Sequence, residues 1–230
     1  MSNGMNSMEV PMDKDTGVKP VSRRKFFGYA GAAAGLSVFA AACSKNDDED
    51  NGVNLGSGDV GILNYAYALE QLEAAFYIQA VLTPYDNITA DEKLFLTDIR
   101  DHEIAHREFF KNALAGNAIP ALEVNFSSIN FKNRDSVLGT AKAFEDLGVS
   151  AYDGAGYLIK DATYLLLAGK IVSVEARHAA LIRELIGLNS FLGDSVDANS
   201  VNVSRTPAEV LAIAGAYIKT KINASNLPTG

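Results

Sequence analysis

Apolar residues recur with a helical period over residues 59–82, at positions 62, 65, 66, 69, 72, 76 and 80. No proline interrupts this stretch, and Pro84 ends it. Thr89-Ala90-Asp91-Glu92 has the form of a capping box and predicts a second helix that runs to about Leu114. Because fewer than ten residues join the two helices, we expect them to be antiparallel neighbours.

Residues 115–134 break the helical pattern. Pro120 and the alternation of apolar and polar residues over 122–126 predict an extended crossover of about twenty residues. Helices are predicted again over 134–157 and 162–188. The crossover is long enough to return the chain to the other end of a bundle, so the second and third helices should be parallel. The prediction is an all-α fold, a four-helix bundle over 59–188 with one long crossover.

The residues after the bundle, 189–230, are predicted to be a C-terminal extension with one further helix. That helix is placed over 207–222, with Thr206 as its N-cap and Pro207 in its first turn.

The N-terminal segment has the composition of a targeting sequence. Ser22-Arg23-Arg24-Lys25 is followed by an uncharged stretch rich in Ala and Gly, which ends at Ala42-Cys43. This pattern predicts a signal peptide over 1–43, similar to the twin-arginine type, with lipidation at Cys43. The alternative, a transmembrane anchor, is disfavoured because the apolar stretch is short and only weakly hydrophobic. We expect an exported protein, a periplasmic or cell-surface lipoprotein anchored to the membrane through Cys43.

Charge and cysteine content narrow the partners. Residues 44–58 are acidic and glycine-rich, which predicts a flexible linker. After Cys43 the chain has 25 acidic and 15 basic residues, so its surface repels phosphate backbones and nucleic acid is not expected as a partner. A single cysteine excludes an intrachain disulfide and a cysteine zinc cluster.

Two short motifs bring chemistry to the predicted bundle. Glu-x-x-His occurs in the second helix and again in the fourth, and this spacing puts a carboxylate and an imidazole on one helix face. Only three histidines exist in the chain, and two of them lie in these motifs. The first helix offers Glu70 and Glu73 as further carboxylates, and the third offers Glu145. The neighbours of Glu145 on its helix face are small and apolar, so Glu145 is predicted to point into the bundle. Since an unpaired buried carboxylate is unfavourable, the pattern predicts a metal that neutralises these groups.

With these residues, the stretch 60–188 resembles the ferritin-like superfamily, and 69–77, 145–154 and 174–181 are similar to its desiccation-related branch. The resemblance implies a di-metal site with six ligands: Glu70, Glu103, His106, Glu145, Glu175 and His178. Glu73 is implied as a partner of a ligand or as the ligand in place of Glu70. Tyr77 and Tyr152 could support the ligands or be core aromatics, and His102 is expected to be exposed.

The ligand set is rich in hard oxygen donors, which favours two iron or two manganese ions. The first functional hypothesis is a redox protein of the cell envelope that acts on O2 or peroxide as a ferroxidase, a peroxidase or a catalase-like protein in stress protection. The alternative is a metal-binding or structural stress-protection lipoprotein without turnover. The sequence leaves open whether the protein is an enzyme, and whether it is a monomer or a homodimer.

Overall fold

The computed structural model describes residues 52–229, so the predictions that concern the signal peptide and Cys43 lie outside the described residues. The helices are α1 (Gly58–Leu82), α2 (Ala90–Leu114), α3 (Arg134–Ala155), α4 (Ala162–Ile186) and α5 (Pro207–Ala214). Two short strands are β1 (Val53–Asn54) and β2 (Ile222–Asn223). Single turns of 3-10 helix follow α2 and α3.

Capping side chains begin three of the four long helices. In the capping box of α2, the Thr89 hydroxyl accepts a hydrogen bond from the backbone N–H of Glu92 at 3.2 Å. Asn133 caps α3 through the N–H of Ser136 at 2.8 Å. Asp161 caps α4 through the N–H of Thr163 at 2.7 Å. Each side chain satisfies a donor that a helix terminus leaves unpaired, so the helices begin where the sequence predicts.

The helices pair as two hairpins, with α1 against α2 and α3 against α4, and α1 also packs on α3. The chain between α2 and α3 crosses from one end of the bundle to the other, as predicted. Two polar residues of α1 hold this crossover. Asn64 donates to the carbonyl of Asn117 at 2.9 Å and accepts from the N–H of Ile119 at 3.0 Å, and Gln71 accepts from the N–H of Leu122 at 2.9 Å. The predicted all-α bundle with an additional C-terminal helix is confirmed.

The C-terminal extension corrects one prediction. The last helix ends at Ala214 and not near residue 222, because Gly215 caps it and the following chain makes other contacts. Ile218 bridges Val124 of the crossover, and β2 pairs with β1 in a parallel two-stranded sheet. The apolar residues after Ala214, such as Ile218 and Ile222, pack against the core without being helical. Their spacing therefore extended the predicted helix too far.

The start of the folded part also differs from the prediction. The flexible linker was expected to extend to residue 58, but Val53 donates to the carbonyl of Lys221 at 2.8 Å, and the buried Leu55 donates to the carbonyl of Asn223 at 3.1 Å. Both contacts are made with distant parts of the chain, so composition does not reveal them. The rest of the predicted linker, 44–51, lies outside the described residues. The ends of α3 and α4 fall two residues earlier than predicted.

Aromatic side chains fill the centre of the bundle. Phe76 is fully buried and packs against Tyr77, Phe144 and Phe131 with ring centroids 5.1 to 5.8 Å apart. This packing fixes α1 against α3 and the crossover. Over residues 52–229, none of the helices is both long enough and apolar enough to span a bilayer.

A glycine of α3 gives a first testable prediction. The segment before α5 crosses α3 so closely that a Cβ on Gly154 would lie 1.8 Å from the carbonyl oxygen of Arg205. We expect Gly154→Ala to lower the free energy of unfolding by about 1–3 kcal/mol, as overpacking does. A Cβ on Gly139, in the same helix, meets nothing within 4 Å. Gly139→Ala should therefore raise the same quantity in urea titrations by about 0.5–1 kcal/mol. Equal effects of the two substitutions would contradict the close crossing.

Candidate metal centre

The two Glu-x-x-His motifs face each other across the bundle. The helical spacing places Glu103 and His106 on one face of α2, and Glu175 and His178 on one face of α4. Both glutamates have no exposed surface, and the His178 side chain is 5 % exposed. His106 is the most accessible of the four, at 12 % of its side chain. The motifs therefore meet in the interior, and their largest exposed surface is beside His106.

Each imidazole directs its Nδ1 atom at several carboxylates. Nδ1 of His106 lies 2.7 Å from Glu175 Oε1, 3.6 Å from Glu70 Oε2 and 4.0 Å from Glu103 Oε2. The group formed by these residues is called the His106 group: Glu70, Glu103, His106 and Glu175.

The second imidazole also faces three carboxylates through Nδ1. Nδ1 of His178 lies 2.9 Å from Glu103 Oε1 and 3.5 Å from both Glu145 Oε2 and Glu175 Oε2. This set is called the His178 group: Glu103, Glu145, Glu175 and His178. In each group, one ligand atom per residue can be chosen so that all of them lie within 4.8 Å of one another.

The two groups share two members. Glu103 and Glu175 approach both imidazoles, whereas Glu70 approaches only His106 and Glu145 only His178. The shared carboxylates come from the two motifs, and the unshared ones come from α1 and α3. All six residues predicted as metal ligands thus lie in one buried carboxylate–histidine cluster.

The donor atoms of this cluster lack hydrogen-bond partners. Both oxygens of Glu103 and of Glu175, and Nδ1 of both histidines, are buried without a hydrogen bond of acceptable geometry. Nδ1 of each histidine lies close to several carboxylate oxygens, but no imidazole N–H is aligned with one oxygen as a hydrogen bond requires. Such unpaired groups are unfavourable in a protein interior unless something neutralises them. The arrangement and the donor types fit a metal ion, and the cluster could hold one.

Two tyrosines hold the unshared carboxylates from opposite directions. Tyr77 of α1 donates its hydroxyl proton to Glu145 of α3, and Tyr152 of α3 donates to Glu70 of α1. Each hydrogen bond occupies one carboxylate oxygen and leaves the other directed at an imidazole. Burial and the adjacent carboxylate raise the pKa of both hydroxyls well above the ordinary value, so both remain donors. Tyr77 and Tyr152 are therefore both core aromatics and partners of site carboxylates.

Protons are distributed unevenly over the cluster in the absence of metal. Desolvation lowers the pKa of both histidines, but the nearby carboxylates outweigh it. Glu175 and Glu70 raise the pKa of His106 to about 11. Glu145 and Glu103 likewise raise the pKa of His178. Burial raises the pKa of Glu175, but the two imidazoles outweigh this effect and lower it to about 2.

The remaining carboxylates hold protons more tightly. Burial, and then the charge of Glu175, raises the pKa of Glu103 well above its ordinary value. Burial raises the pKa of Glu145 to about 7 against the opposing charge of His178. At neutral pH the metal-free cluster therefore contains two charged imidazoles with Glu175 ionised between them, while Glu103 carries a proton.

Glu73 lies one turn beyond Glu70 and belongs to neither group. Its side chain is only 4 % exposed, and burial together with the charge of Glu103 raises its pKa well above the ordinary value. A Cβ on Gly148 of α3 would lie 3.0 Å from Glu73 Oε1. The structure thus places Glu70 with His106, and it places Glu73 in the space that the absent side chain of Gly148 leaves.

Two residues near the cluster have contacts that the sequence does not reveal. His102 is exposed, as expected, but its Nδ1 lies 2.8 Å from Nε2 of His178. Arg183 is only 4 % exposed and forms a bidentate ion pair with Asp146 at 2.7 and 3.0 Å. Asp146 follows Glu145, so this pair ties α4 to α3 beside the cluster.

The cluster is approximately symmetric between the two hairpins. Glu70 and Tyr77 of α1 correspond to Glu145 and Tyr152 of α3, each pair being seven residues apart. The motif of α2 corresponds in the same way to the motif of α4. Two positions break the symmetry. Glu73 corresponds to Gly148, and His102 corresponds to Val174.

The fold and the site together define a helical-bundle protein with a buried carboxylate–histidine cluster that could bind metal. A model of the ferritin-like domain family matches residues 58–188, and the chain belongs to this family. None of the curated proteins compared with the chain matches it. The resemblance to the ferritin-like superfamily is confirmed. The narrower resemblance to the desiccation-related branch, and the assignment of individual ligands, stay predictions.

Proposed function

We propose that the chain binds two divalent ions of iron or manganese and uses them in a protective redox reaction at the cell envelope. The observation that carries this proposal is that Glu103 and Glu175 each approach both imidazoles, so that one pair of carboxylates can serve two ions. Glu70 and His106 would complete one position, and Glu145 and His178 the other.

Charge balance supports two divalent ions. The carboxylate–histidine cluster contains four carboxylates, whose four negative charges equal the charge of two divalent ions when both imidazoles are neutral. Binding would therefore replace protons that the cluster holds in the metal-free protein. The oxygen-rich donor set suits iron or manganese, and the cluster contains no thiolate of the kind that selects zinc or copper(I).

The surroundings of the cluster restrict the substrate. The four glutamates are at most 1 % exposed, and the side chains of His106 and His178 expose only 12 % and 5 % of their surface. An organic substrate cannot approach such a site, whereas O2, peroxide or a metal ion can. Bound iron or manganese would supply electron exchange with O2 or peroxide. The reaction classes that fit are those of a ferroxidase, a peroxidase or a catalase-like protein.

The N-terminal sequence supports action outside the cytoplasm. A twin-arginine type of signal, as predicted over 1–43, exports proteins after they have folded. Because copper and zinc bind sites of nitrogen and oxygen ligands more tightly than iron or manganese, loading before export would let cytoplasmic metal supply choose the ion. Lipidation at Cys43 would then retain the protein at the membrane.

One preparation tests the proposal. The mature protein is isolated from the envelope of the producing cells, and its metal content and mass are measured. We expect about two iron or manganese ions per chain and a mass that corresponds to a lipid-modified N-terminus at Cys43. The same protein should consume hydrogen peroxide or oxidise Fe(II), and protein with Glu103→Gln should do neither.

Other results would redirect the proposal. Protein that contains no metal and takes up neither iron nor manganese would overturn it. Two bound ions without peroxide consumption or Fe(II) oxidation would favour the non-catalytic alternative, a metal-binding stress-protection protein. An unmodified mass that still includes residues 1–43 would contradict only the predicted cleavage and lipidation of the signal peptide. The proposal of metal binding would be unaffected.

A further inference from the structure

His102, an exposed residue of α2, contacts the carboxylate–histidine cluster through His178. Its ring plane lies within 14° of the ring plane of His178, and the ring centroids are 5.1 Å apart. The closest atoms are Nδ1 of His102 and Nε2 of His178, at 2.8 Å. Nearly parallel planes that meet nitrogen to nitrogen are the geometry of an in-plane hydrogen bond between two imidazoles.

The direction of this hydrogen bond follows from the position of His178. Nδ1 of His178 faces Glu103, Glu145 and Glu175 and is the atom that would bind metal. A neutral imidazole that offers Nδ1 as a lone pair carries its proton on Nε2. Nε2 of His178 therefore donates, and Nδ1 of His102 accepts. An acceptor behind a metal-binding histidine fixes its tautomer and ring orientation and increases its basicity.

The other half of the site lacks this support. Within the described residues, 52–229, no hydrogen bond reaches Nε2 of His106. The position that corresponds to His102 in α4 is Val174, which has no acceptor. His106 is also more exposed than His178, at 12 % against 5 % of the side chain. The approximate symmetry of the ligands therefore conceals two different environments.

We propose that His102 is a positioning residue that holds His178 ready to bind metal and makes the His178 group the tighter of the two metal positions. This inference rests on the proposed function, because it presupposes that two ions bind. It adds an order of binding: the first ion occupies the His178 group, and the second, in the His106 group, exchanges more easily.

The test measures Mn(II) binding to the full chain by equilibrium dialysis, with free Mn(II) followed by its EPR signal. The unsubstituted protein should bind two ions with different dissociation constants. His102→Leu keeps the bulk against His178 but removes the acceptor, and it should weaken the tighter ion by about 10–100-fold while the weaker ion changes little. His102→Asn places an amide oxygen near the position of Nδ1, and we expect it to restore most of the affinity. Val174→Ala is the matched control and should alter neither constant.

The outcomes separate the two proposals. If the unsubstituted protein binds no Mn(II) and no Fe(II), the proposed function fails, and this inference fails with it. If two ions bind but His102→Leu leaves both constants unchanged, only the role of His102 is overturned. Equal weakening by His102→Leu and His102→Asn would also overturn it, because the ring itself and not its acceptor nitrogen would then be responsible.

Discussion

Substitution of either shared carboxylate by glutamine is expected to remove both ions, but the two variants should differ in the stability of the metal-free protein. Glu103 and Glu175 each contact both imidazoles, so neither ion keeps its ligands without them. Elemental analysis should find close to zero iron or manganese per chain in Glu103→Gln and in Glu175→Gln. Retention of two ions by either variant would contradict the site.

The difference in stability follows from where the protons are. Burial raises the pKa of Glu103, so glutamine resembles the protonated side chain that the metal-free protein already contains. Glu103→Gln should therefore change the free energy of unfolding by less than about 1 kcal/mol. Glu175 is ionised, because the two imidazoles lower its pKa to about 2. Glu175→Gln removes the charge between two buried cations and should cost about 3–5 kcal/mol.

The stabilisation by Glu175 has a defined pH range. Its folded pKa is lower than its unfolded value, so the contribution is present above about 4.5 and is lost as pH falls towards 2. Urea titrations of both variants in the presence of a chelator, at pH 7 and pH 3, measure it. The deficit of Glu175→Gln should shrink at the lower pH. An equal loss of stability in the two variants would contradict the assignment of the proton to Glu103 and the negative charge to Glu175.

Much of this site follows from local sequence. Glu-x-x-His places two donors on one helix face wherever the helix forms, and the capping residues of α2 and α4 fix both helices in register. Glu145 could be assigned because its neighbours on the helix face are small and apolar. The choice between Glu70 and Glu73 could not be made from sequence, since both lie on the inner face of α1. Their distances to His106 and to Gly148 separate them, and those distances depend on how α1 packs against α2 and α3.

The features that sequence did not reveal are contacts between distant segments. A helical wheel correctly places His102 on the outside of α2, but it says nothing of how close α4 lies, and an imidazole reaches across that gap. Arg183 is buried because Asp146 of α3 and Asp194 of the C-terminal extension both pair with it. The pairing of β1 with β2 likewise joins the two ends of the described chain. Each depends on tertiary packing that no local pattern encodes.

The approximate symmetry of the hairpins gives meaning to the positions that break it. Glu73 of α1 corresponds to Gly148 of α3, and the side chain of Glu73 occupies the space beside Gly148 that a larger residue would fill. The site thus contains a fifth buried carboxylate from one side only. Burial and the surrounding carboxylates raise the pKa of Glu73, so it can remain neutral while the other four balance two divalent ions. His102 breaks the symmetry on the opposite side of the cluster.

Metal binding should stabilise the fold more strongly as pH rises. Both imidazoles have raised pKa values in the metal-free protein, about 11 for His106, and each must lose a proton from Nδ1 before it can bind an ion. The proton on Glu103 must also leave. Binding therefore releases several protons, and the apparent affinity should increase by at least about tenfold for each pH unit. Isothermal titration in buffers of different ionisation enthalpy counts these protons directly.

The metal-free protein should respond to pH in the opposite direction. The folded pKa of His106 lies above its unfolded value, so its stabilisation is complete below about 6.5 and is lost as pH rises towards 11. Glu145, with a pKa raised to about 7, favours the folded state below about 4.5 and loses that advantage as pH rises through 7. From pH 5.5 to 8.5 the metal-free protein should therefore become less stable, while the metal-bound protein gains.

Thermal unfolding with Mn(II) and with a chelator, at pH 5.5, 7 and 8.5, combines these opposing trends. At a metal concentration a thousand times the dissociation constant, one ion adds about 4 kcal/mol to the free energy of unfolding. The difference in melting temperature between the two conditions should be small at pH 5.5 and large at pH 8.5. Glu103→Gln, which we expect to bind no ion, should show no difference in melting temperature at any pH. A site that needed no deprotonation would bind metal equally well at all three pH values. A difference in melting temperature that stays constant or narrows as pH rises would therefore mean that the imidazoles do not lose protons when metal binds.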